Sequence, residues 1–219
     1  MSQETSRGVL WDMDGTLVES GELHFVAWRE TLAAEGRGYE RADHDVVFGM
    51  RNDAVLRRLV DPAIGADEIE RIAGAKERRY RELVAAEGIE PLPGVRSWLA
   101  ALRADGWRLA VASSAPRENL DAVLVATGIE GAFDAIVSGE DVARGKPDPD
   151  VFLAAAERLG APPERCVVVE DAPAGVLAGR RAGMRVIAVG PRHAALGAHA
   201  SVERLDRLPA DAFARLLED

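Results

Sequence analysis

Short, largely apolar runs alternate with segments of helical periodicity along most of the chain. Strands that are buried on both faces of a parallel sheet have apolar runs of this kind. The five candidate strands are GVLW (8–11), RLAVAS (108–113), AIVS (135–138), CVVVE (166–170) and RVIAV (185–189). Between them, apolar residues recur at helical spacing within 95–102, 151–159 and 173–183. The alternation predicts an α/β fold with a doubly wound parallel sheet, whose ligands bind beyond the carboxyl ends of the strands.

The stretch from about Glu19 to Glu90 interrupts this alternation, because it contains helical patterns and no convincing strand. The helical segments are ELHFVAWRETLAAEG (22–36), DAVLRRLV (53–60) and DEIERIAGAKERRYRELVAAEG (67–88). The segment EPLPGV, 90–95, then supplies two prolines and a glycine, which form a stiff joint where the sheet pattern resumes. We therefore predict a core of residues 1–17 and 93–219, with a helical cap, residues 18–92, inserted after the first strand and lying over the strand ends.

Composition argues against several classes of protein. The chain has 219 residues, 47% of them hydrophobic, and a net charge of -10, which disfavours a nucleic-acid or anionic membrane partner. Its single cysteine, Cys166, excludes a disulfide framework and fits a reducing compartment. No apolar stretch approaches the roughly 18 residues of a membrane span, and the N-terminal MSQETSRG is polar, unlike a signal peptide. We expect a cytoplasmic protein that is a monomer or a weak dimer.

Four carboxylates are predicted to meet at one edge of the sheet. Asp12 and Asp14 follow the first strand, and Glu170 and Asp171 end another. Because the carboxyl ends of parallel strands lie at the same edge, the two pairs should face one site. Carboxylates that crowd together repel one another, and a hard cation that takes oxygen ligands relieves this repulsion. We therefore expect Mg²⁺ as the cofactor.

A lysine and a hydroxyl group are predicted at the same edge. Only two of the 27 basic residues are lysines, Lys76 and Lys146, and Lys146 lies in the loop ARGKPDPD. Its ammonium is a compact charge that suits a phosphoryl oxygen. Ser113 ends the run RLAVAS and brings a hydroxyl to the strand edge. Carboxylate, hydroxyl, ammonium and metal are together the groups that phosphoryl transfer through an aspartyl phosphate requires.

In their order along the chain, these residues resemble the four motifs of the haloacid dehalogenase superfamily of phosphotransferases. The matching segments are DMDGT (12–16), Ser113, Lys146 with Pro147, and ED (170–171). The resemblance covers nearly the whole chain. The inserted helices look like the cap of the subgroup that includes β-phosphoglucomutase and small sugar-phosphate phosphatases, which implies a small phosphorylated metabolite as the substrate.

The resemblance also implies a role for each core residue. Asp12 matches the nucleophile, and Asp14 matches the general acid/base. Ser113 and Lys146 match the hydroxyl and the lysine that bind the phosphate. The Mg²⁺ ligands that the resemblance implies are Asp12, the backbone carbonyl of Asp14, Glu170 and Asp171.

Each of these residues, taken alone, has a plainer interpretation. Asp-x-Asp-Gly by itself is typical of a turn with a capping aspartate, and a lone loop lysine such as Lys146 is usually solvated. Glu170 or Asp171 could cap the helix that follows them. Ser114 is the alternative to Ser113 as the phosphate-binding serine. The order of all four motifs favours the phosphotransferase interpretation.

Three cap residues are candidates for contacts with the part of the substrate that is distant from the phosphate. His24 in LHFVAW, Arg51 in FGMRND and Lys76 in AKERRY resemble substrate-binding segments of the mutases. The plain alternatives are that His24 packs against Trp28 and that Lys76 lies on a solvated helix face. Arg51, in a cap loop that should face the core, is the best candidate of the three.

Two departures from the mutase pattern bear on the reaction. Ala54 stands where the mutases have a hydroxyl residue, and SAPREN (114–119) replaces their lysine-asparagine pair, with Arg117 and Asn119 as possible substitutes. A mutase rebinds a bisphosphate, and both changes weaken a second phosphate site. Hydrolysis of a sugar or polyol phosphate is therefore the first hypothesis. A β-phosphoglucomutase-like isomerase is the runner-up, a catalytically silent binding protein is the third, and a carbon–halogen hydrolase is disfavoured because it would not need Asp14.

Overall fold

A six-stranded parallel sheet forms the centre of the molecule, in the order β3-β2-β1-β4-β5-β6. The structure, a computed structural model, describes residues 6–218; residue 219 and the first five residues of the polar segment MSQETSRG lie outside them. The strands are β1 (Gly8–Trp11), β2 (Arg108–Ala112), β3 (Ala135–Val137), β4 (Cys166–Glu170), β5 (Arg185–Val189) and β6 (Ala200–Val202). The predicted α/β fold with a doubly wound parallel sheet is confirmed.

Helices cover both faces of the sheet and form the insertion. They are α1 (Gly21–Ala34), α2 (Arg41–Val47), α3 (Asn52–Leu59), α4 (Ala66–Glu87), α5 (Val95–Ala104), α6 (Arg117–Thr127), α7 (Asp150–Leu159), α8 (Pro173–Arg181) and α9 (Ala212–Glu218). Helices α5, α6 and α9 pack with Val9 and Trp11 on one face, and α7 and α8 pack with Leu10 on the other. Within residues 6–218, no helix has the length and apolar character that a bilayer crossing needs.

The position of β1 decides where the chemistry lies. It pairs with β2 on one side and β4 on the other, so that Trp11 is level with Val111 and Val169. The residues that follow these three positions therefore leave the sheet side by side. The backbone N–H of Asp12 still donates to the carbonyl of Val169, at 3.0 Å. The side chains that follow β1, β2 and β4 therefore share one edge of the sheet.

The five predicted strands are confirmed to within one residue at their ends. The sequence analysis did not predict β6, α2, α6 or α9. Strand β6 is only three residues long, and its central Ser201 is exposed at the sheet edge, so it has no apolar run. Helix α2 is mostly polar and buries only His44 and Val47, which is too few residues for a helical period to show.

The inserted helices α1 to α4 have a small apolar core of their own. It includes Phe25, Trp28, Leu32, Leu56 and Ile72. Other residues of α1 and α4 pack instead against the apolar core under the sheet, which anchors the insertion. The chain enters and leaves through two short segments that are hydrogen bonded to each other, with the Leu92 N–H donating to the Leu17 carbonyl at 2.9 Å. The two segments through which the chain enters and leaves the insertion therefore lie side by side.

Candidate active site

An ammonium group bridges two carboxylates at the centre of the sheet edge. Lys146 Nζ donates to Asp12 Oδ1 at 2.5 Å and to Glu170 Oε1 at 2.7 Å. The Lys146 side chain is only 3% exposed. Burial by itself favours the neutral amine, but the two carboxylates prevail and raise the pKa of Lys146 above its ordinary value. Lys146 therefore keeps its positive charge beside Asp12.

Glu170 is fixed by the segment that joins β4 to α8. Its Oε2 accepts hydrogen bonds from the backbone N–H groups of Asp171 and Ala172, each at 2.9 Å. Its carboxylate also lies against Gly175, where a Cβ atom would overlap Oε1. The N-terminal end of a helix favours negative charge, which adds to these bonds. The start of α8 therefore sets the direction of this carboxylate.

Three carboxylates form an oxygen-rich cluster at the same edge. One oxygen from each of Asp12, Glu170 and Asp171 lies within 4.8 Å of the others. Burial, with repulsion from neighbouring carboxylates, raises the pKa of Asp12 to about 7 and that of Asp171 to about 9. Gly15, with φ of 79°, leaves the space that the Asp171 carboxylate occupies. An oxygen-only donor set in which the charges repel fits the expected Mg²⁺.

Asp14 lies two residues beyond Asp12, but the cap and not the sheet holds its carboxylate. Strand β1 ends at Trp11, so strand alternation does not direct this side chain. Its Oδ1 accepts hydrogen bonds from Ser20 Oγ at 2.5 Å and from His24 Nε2 at 3.2 Å. Burial by itself would raise the pKa of Asp14, but the contacts with His24 and Ser20 prevail and lower it. Asp14 is therefore ionised at neutral pH in this arrangement.

His24 continues this contact into the long cap helix α4. Its Nδ1 lies 2.9 Å from Lys76 Nζ. Because an ammonium only donates and the ionised Asp14 only accepts, we assign a ring proton to Nε2, which faces Asp14. Tyr80 stacks on the ring, with the two centroids 4.0 Å apart and the planes 7° from parallel. Lys76 is buried in this contact, so the alternative of a solvated helix face is wrong.

Glu77 joins this polar chain to the core. Its Oε1 accepts hydrogen bonds from Lys76 Nζ at 2.9 Å and Asn52 Nδ2 at 2.8 Å, and its Oε2 accepts one from Asn119 Nδ2 at 2.5 Å. Arg81 donates in turn to Asn119 Oδ1 at 2.9 Å. Burial by itself would raise the pKa of Glu77, but the charge of Lys76 prevails and lowers it. Since Asn119 belongs to α6, these bonds cross from the insertion to the sheet domain.

A cavity of about 60 Å³ lies beside Asp12 and Asp14, between the insertion and the sheet domain. Ser113 and Ser114 line its core side. The Ser113 hydroxyl is buried and accepts a hydrogen bond from the backbone N–H of Ala115 at 3.1 Å. Ser113 and Ser114 therefore lie on the same cavity as Asp12 and Asp14.

Three of the predicted substrate-binding residues do not line this cavity. Arg51 lies against a core loop, with Nη1 donating to the Val142 carbonyl at 3.4 Å. Arg117 is about half exposed and donates from Nε to Asp121 Oδ1 at 2.9 Å. Asn119 faces α4. The geometry gives Arg51 and Asn119 contacts between the insertion and the sheet domain, and their contact with a substrate stays a prediction.

The sequence analysis missed an uncharged wall that the insertion contributes to the cavity, here called the neutral wall. Trp28, Tyr39, His44 and Phe48 belong to it. The Tyr39 hydroxyl lies 3.0 Å from His44 Nδ1. Burial lowers the pKa of His44 to about 4, so its ring is neutral at physiological pH. No motif marks these residues, because aromatic side chains at such positions are typical of ordinary packing contacts.

Ser20, Asn52 and Glu77 were also missed as residues of the site. A usable signal existed only for α4, where Ile72, Lys76 and Tyr80 follow one another at a spacing of four residues. This spacing places Lys76 on the buried stripe of the helix, and a buried lysine requires an anionic partner. The periodicity of α4 could therefore have pointed to the Lys76 pair before the structure did.

Comparison with known proteins finds clear relatives of this chain. The family described as haloacid dehalogenase-like hydrolase matches residues 7–183. Hexitol phosphatase A of Escherichia coli is 36% identical over 183 residues, covering 84% of this chain and 82% of the relative. The β-phosphoglucomutase of Bacillus subtilis is 30% identical over 208 residues, covering 92% and 91%. A solved variant of Rhodobacter sphaeroides CbbY, in complex with xylulose-(1,5)bisphosphate, is similar with a TM-score of 0.84 and 30% identity, covering 93% of this chain and 96% of that one.

Proposed function

Because this chain belongs to the haloacid dehalogenase-like hydrolases, we propose that it is a Mg²⁺-dependent phosphatase of small sugar or polyol monophosphates. The observation that carries the proposal is the charge of the cavity. Among the described residues that line it, Lys76 is the only lysine or arginine, and it forms an ion pair with Glu77. The site thus offers one cationic position for phosphate, at Lys146, and a largely neutral wall for the rest of the substrate.

In the first step the Asp12 carboxylate attacks phosphorus, and the bond from phosphorus to the sugar oxygen breaks. An aspartyl phosphate forms on Asp12, and the leaving oxygen takes a proton from Asp14. Asp14 is ionised without substrate, but a bound phosphate dianion raises its pKa and favours proton uptake. Lys146 and the Ser113 hydroxyl bind phosphoryl oxygens and offset the charge that moves onto them.

In the second step a water molecule attacks the aspartyl phosphate. Asp14, now a carboxylate held by Ser20 and His24, takes the proton from this water. The bond between phosphorus and the Asp12 oxygen breaks, which releases inorganic phosphate and restores the free carboxylate. The same contacts that lower the pKa of Asp14 therefore make it available as a base.

Asp12, Glu170 and Asp171 are the side chains that would hold Mg²⁺. The bound ion would supply positive charge for the transferred phosphoryl group and for the crowded carboxylates. The inserted helices supply a second contribution, because closing the cavity excludes bulk water from the first step and aligns the leaving oxygen with Asp14.

The absence of a free second cation supports hydrolysis over isomerisation. The solved CbbY holds a sugar bisphosphate, and an isomerase of the mutase type rebinds such a molecule. In this chain Arg51 and Arg117 lie outside the cavity, and Glu77 neutralises Lys76. A second phosphate group would therefore meet no unpaired cation among the described lining residues, and we favour substrates that carry one phosphate.

The test is a product assay with purified protein, Mg²⁺ and a panel of sugar and polyol monophosphates. Both inorganic phosphate and isomerised sugar are measured, and β-glucose 1-phosphate with a trace of glucose 1,6-bisphosphate serves as the mutase arm. We expect phosphate release that depends on Mg²⁺ and is lost in Asp12→Asn. Isomerisation that is faster than phosphate release would establish the mutase instead. If no substrate gave either product, the result would support the catalytically silent binding protein.

A further inference from the structure

A buried ion pair lines the side of the cavity that the insertion contributes. Lys76 Nζ and Glu77 Oε1 are 2.9 Å apart, and the two side chains are 4% and 8% exposed. Both residues line the cavity. A lysine buried without a partner would attract any anion small enough to reach it. Within the protein, the carboxylate of Glu77 is the anion that pairs with Lys76.

Glu77 is held in this position from three sides. Lys76 belongs to its own helix, Asn52 to α3 and Asn119 to α6, and each donates one hydrogen bond to the carboxylate. With both oxygens engaged, the side chain cannot turn away to admit another anion without leaving donors unpaired. The ion pair is therefore a fixed feature of the cavity wall.

We propose that Glu77 is a specificity-determining residue that excludes a second phosphate group from the cavity. Its carboxylate cancels the one lining lysine and repels an anionic group at the far end of the substrate, while a hydroxylated, uncharged end is accepted. This inference rests on the proposed function, because it concerns the substrates of the same site. It adds the residue that makes the site select for a single phosphate.

The same contacts also suit a purely structural role, in which Glu77 only ties α4 to the core through Asn119. The two roles predict different results. Loss of a structural tie weakens the binding of every ligand in the cavity by a similar factor. Loss of the negative charge strengthens the binding of a bisphosphate relative to the matching monophosphate.

The experiment measures equilibrium binding, so that it does not depend on turnover. Mg²⁺-loaded Asp12→Asn protein is titrated calorimetrically with fructose 1-phosphate and with fructose 1,6-bisphosphate, and the ratio of the two affinities is recorded. Adding Glu77→Gln, which keeps the size of the side chain, should raise the bisphosphate-to-monophosphate ratio at least tenfold. Adding Asn119→Ala instead, as the matched control for the tie to the core, should leave the ratio within a factor of two.

Two more variants keep the test decisive if Glu77→Gln folds poorly. Lys76→Gln leaves the Glu77 charge unpaired and should lower the ratio. The double change Lys76→Gln with Glu77→Gln removes both charges and should bring the ratio back toward that of the parent protein. A rise in the ratio for Glu77→Gln and a fall for Lys76→Gln would follow from the change in charge, because a loss of packing would not shift the ratio in opposite directions.

An unchanged ratio in Glu77→Gln, an equal rise in Asn119→Ala, or no bisphosphate binding by the Glu77→Gln protein would overturn the proposal. Failure of the proposed function has a different signature, since it is read from phosphate release by the wild-type enzyme. If the wild-type protein hydrolyses monophosphates and Glu77→Gln leaves the affinity ratio unchanged, the phosphatase proposal stands. The proposal that Glu77 selects against a second phosphate is then wrong.

Discussion

Carboxylates in two parts of the site have pKa values that are shifted in opposite directions. One part, the phosphate end, includes Asp12 and Asp171, and the other, the cap end, includes Asp14 and Glu77. At the phosphate end, burial and mutual repulsion raise the pKa of Asp12 and of Asp171. At the cap end, Asp14 and Glu77 are just as well buried, yet their partners lower the pKa of each. The difference shows which charges the protein compensates by itself. At the cap end, side chains of the protein itself stabilise both ionised carboxylates. The phosphate end instead has an excess of negative charge, which suits a bound cation and a substrate.

The largest effect should come from removing the nucleophile at the phosphate end. We expect Asp12→Asn to lower turnover by roughly 10⁴-fold or more, because no aspartyl phosphate can form. Asp14→Asn, two residues away, is the informative comparison. It should nearly abolish hydrolysis of sugar phosphates but spare the phosphorylation of Asp12 by an acyl phosphate, whose leaving group needs no proton. Steady-state turnover and trapping of the phosphoenzyme measure the two effects, and wild-type turnover by Asp12→Asn would refute the assignment.

A metal test addresses the excess charge directly. Mg²⁺ at about 100 times its dissociation constant should stabilise the wild-type protein by about 2.7 kcal/mol, and Asp171→Asn should lose most of this gain. Melting curves with and without Mg²⁺ provide the measurement. Equal Mg²⁺ shifts in the two proteins would remove Asp171 from the metal site.

Without metal, Asp171 should make the stability of the protein depend on pH in the opposite direction from an ordinary paired carboxylate. The folded pKa of Asp171, about 9, lies above its ordinary 3.8, so the folded state binds more protons between these values. Stability from this group is therefore full below about pH 4 and declines as the pH rises toward 9. Asp171→Asn should flatten the decline, and urea unfolding in chelator across this range tests it. The same slope in both proteins would contradict the raised pKa.

A smaller effect is expected for Arg51, which touches the sheet domain from the insertion. Because this contact favours the closed cavity, Arg51→Ala should lower kcat/KM for a sugar phosphate roughly 10-fold, or about 1.4 kcal/mol. Hydrolysis of acetyl phosphate, which has no distal group to enclose, should change by less than about threefold. Kinetics with both substrates measures this, and Arg117→Ala, another arginine outside the cavity, is the control. An equal loss on both substrates would place Arg51 in the chemical machinery.

An effect of about the same size as that of Arg51 is expected at the neutral wall. The pKa of His44 is about 4 when folded and 6.5 ordinarily, so the unfolded chain binds its proton first as the pH falls. Its contribution to stability is full above pH 6.5 and is lost as the pH drops toward 4. His44→Gln should remove on the order of 1–2 kcal/mol of this acid sensitivity. Unfolding free energies at pH 7.5 and 5 give the comparison, and an unchanged difference between them would mean that His44 is not buried as a neutral ring.

Much of the phosphate end could be predicted from the sequence, and the physical reason is the parallel sheet. Parallel strands end at a common edge, so an apolar run followed by a polar residue fixes both the strand and the place of that residue. Asp12, Ser113 and Glu170 each follow such a run and lie on neighbouring strands. Their nearness was therefore set by strand order and register, which short apolar runs determine with little freedom.

The cap end was decided only by the tertiary structure. Glu77 and Asn119 are 42 residues apart in the chain, and no pattern in either segment indicates the other, because helices can rotate and shift against a neighbour in many ways. The same freedom explains Arg51, whose position in a loop of the insertion was visible in the sequence while its direction, toward Val142 and away from the cavity, was not. The sequence determined which strands meet and which groups they carry to the sheet edge, since local periodicity fixes both. The packing of the inserted helices determined which charges are paired, because a buried pair forms only where two surfaces meet.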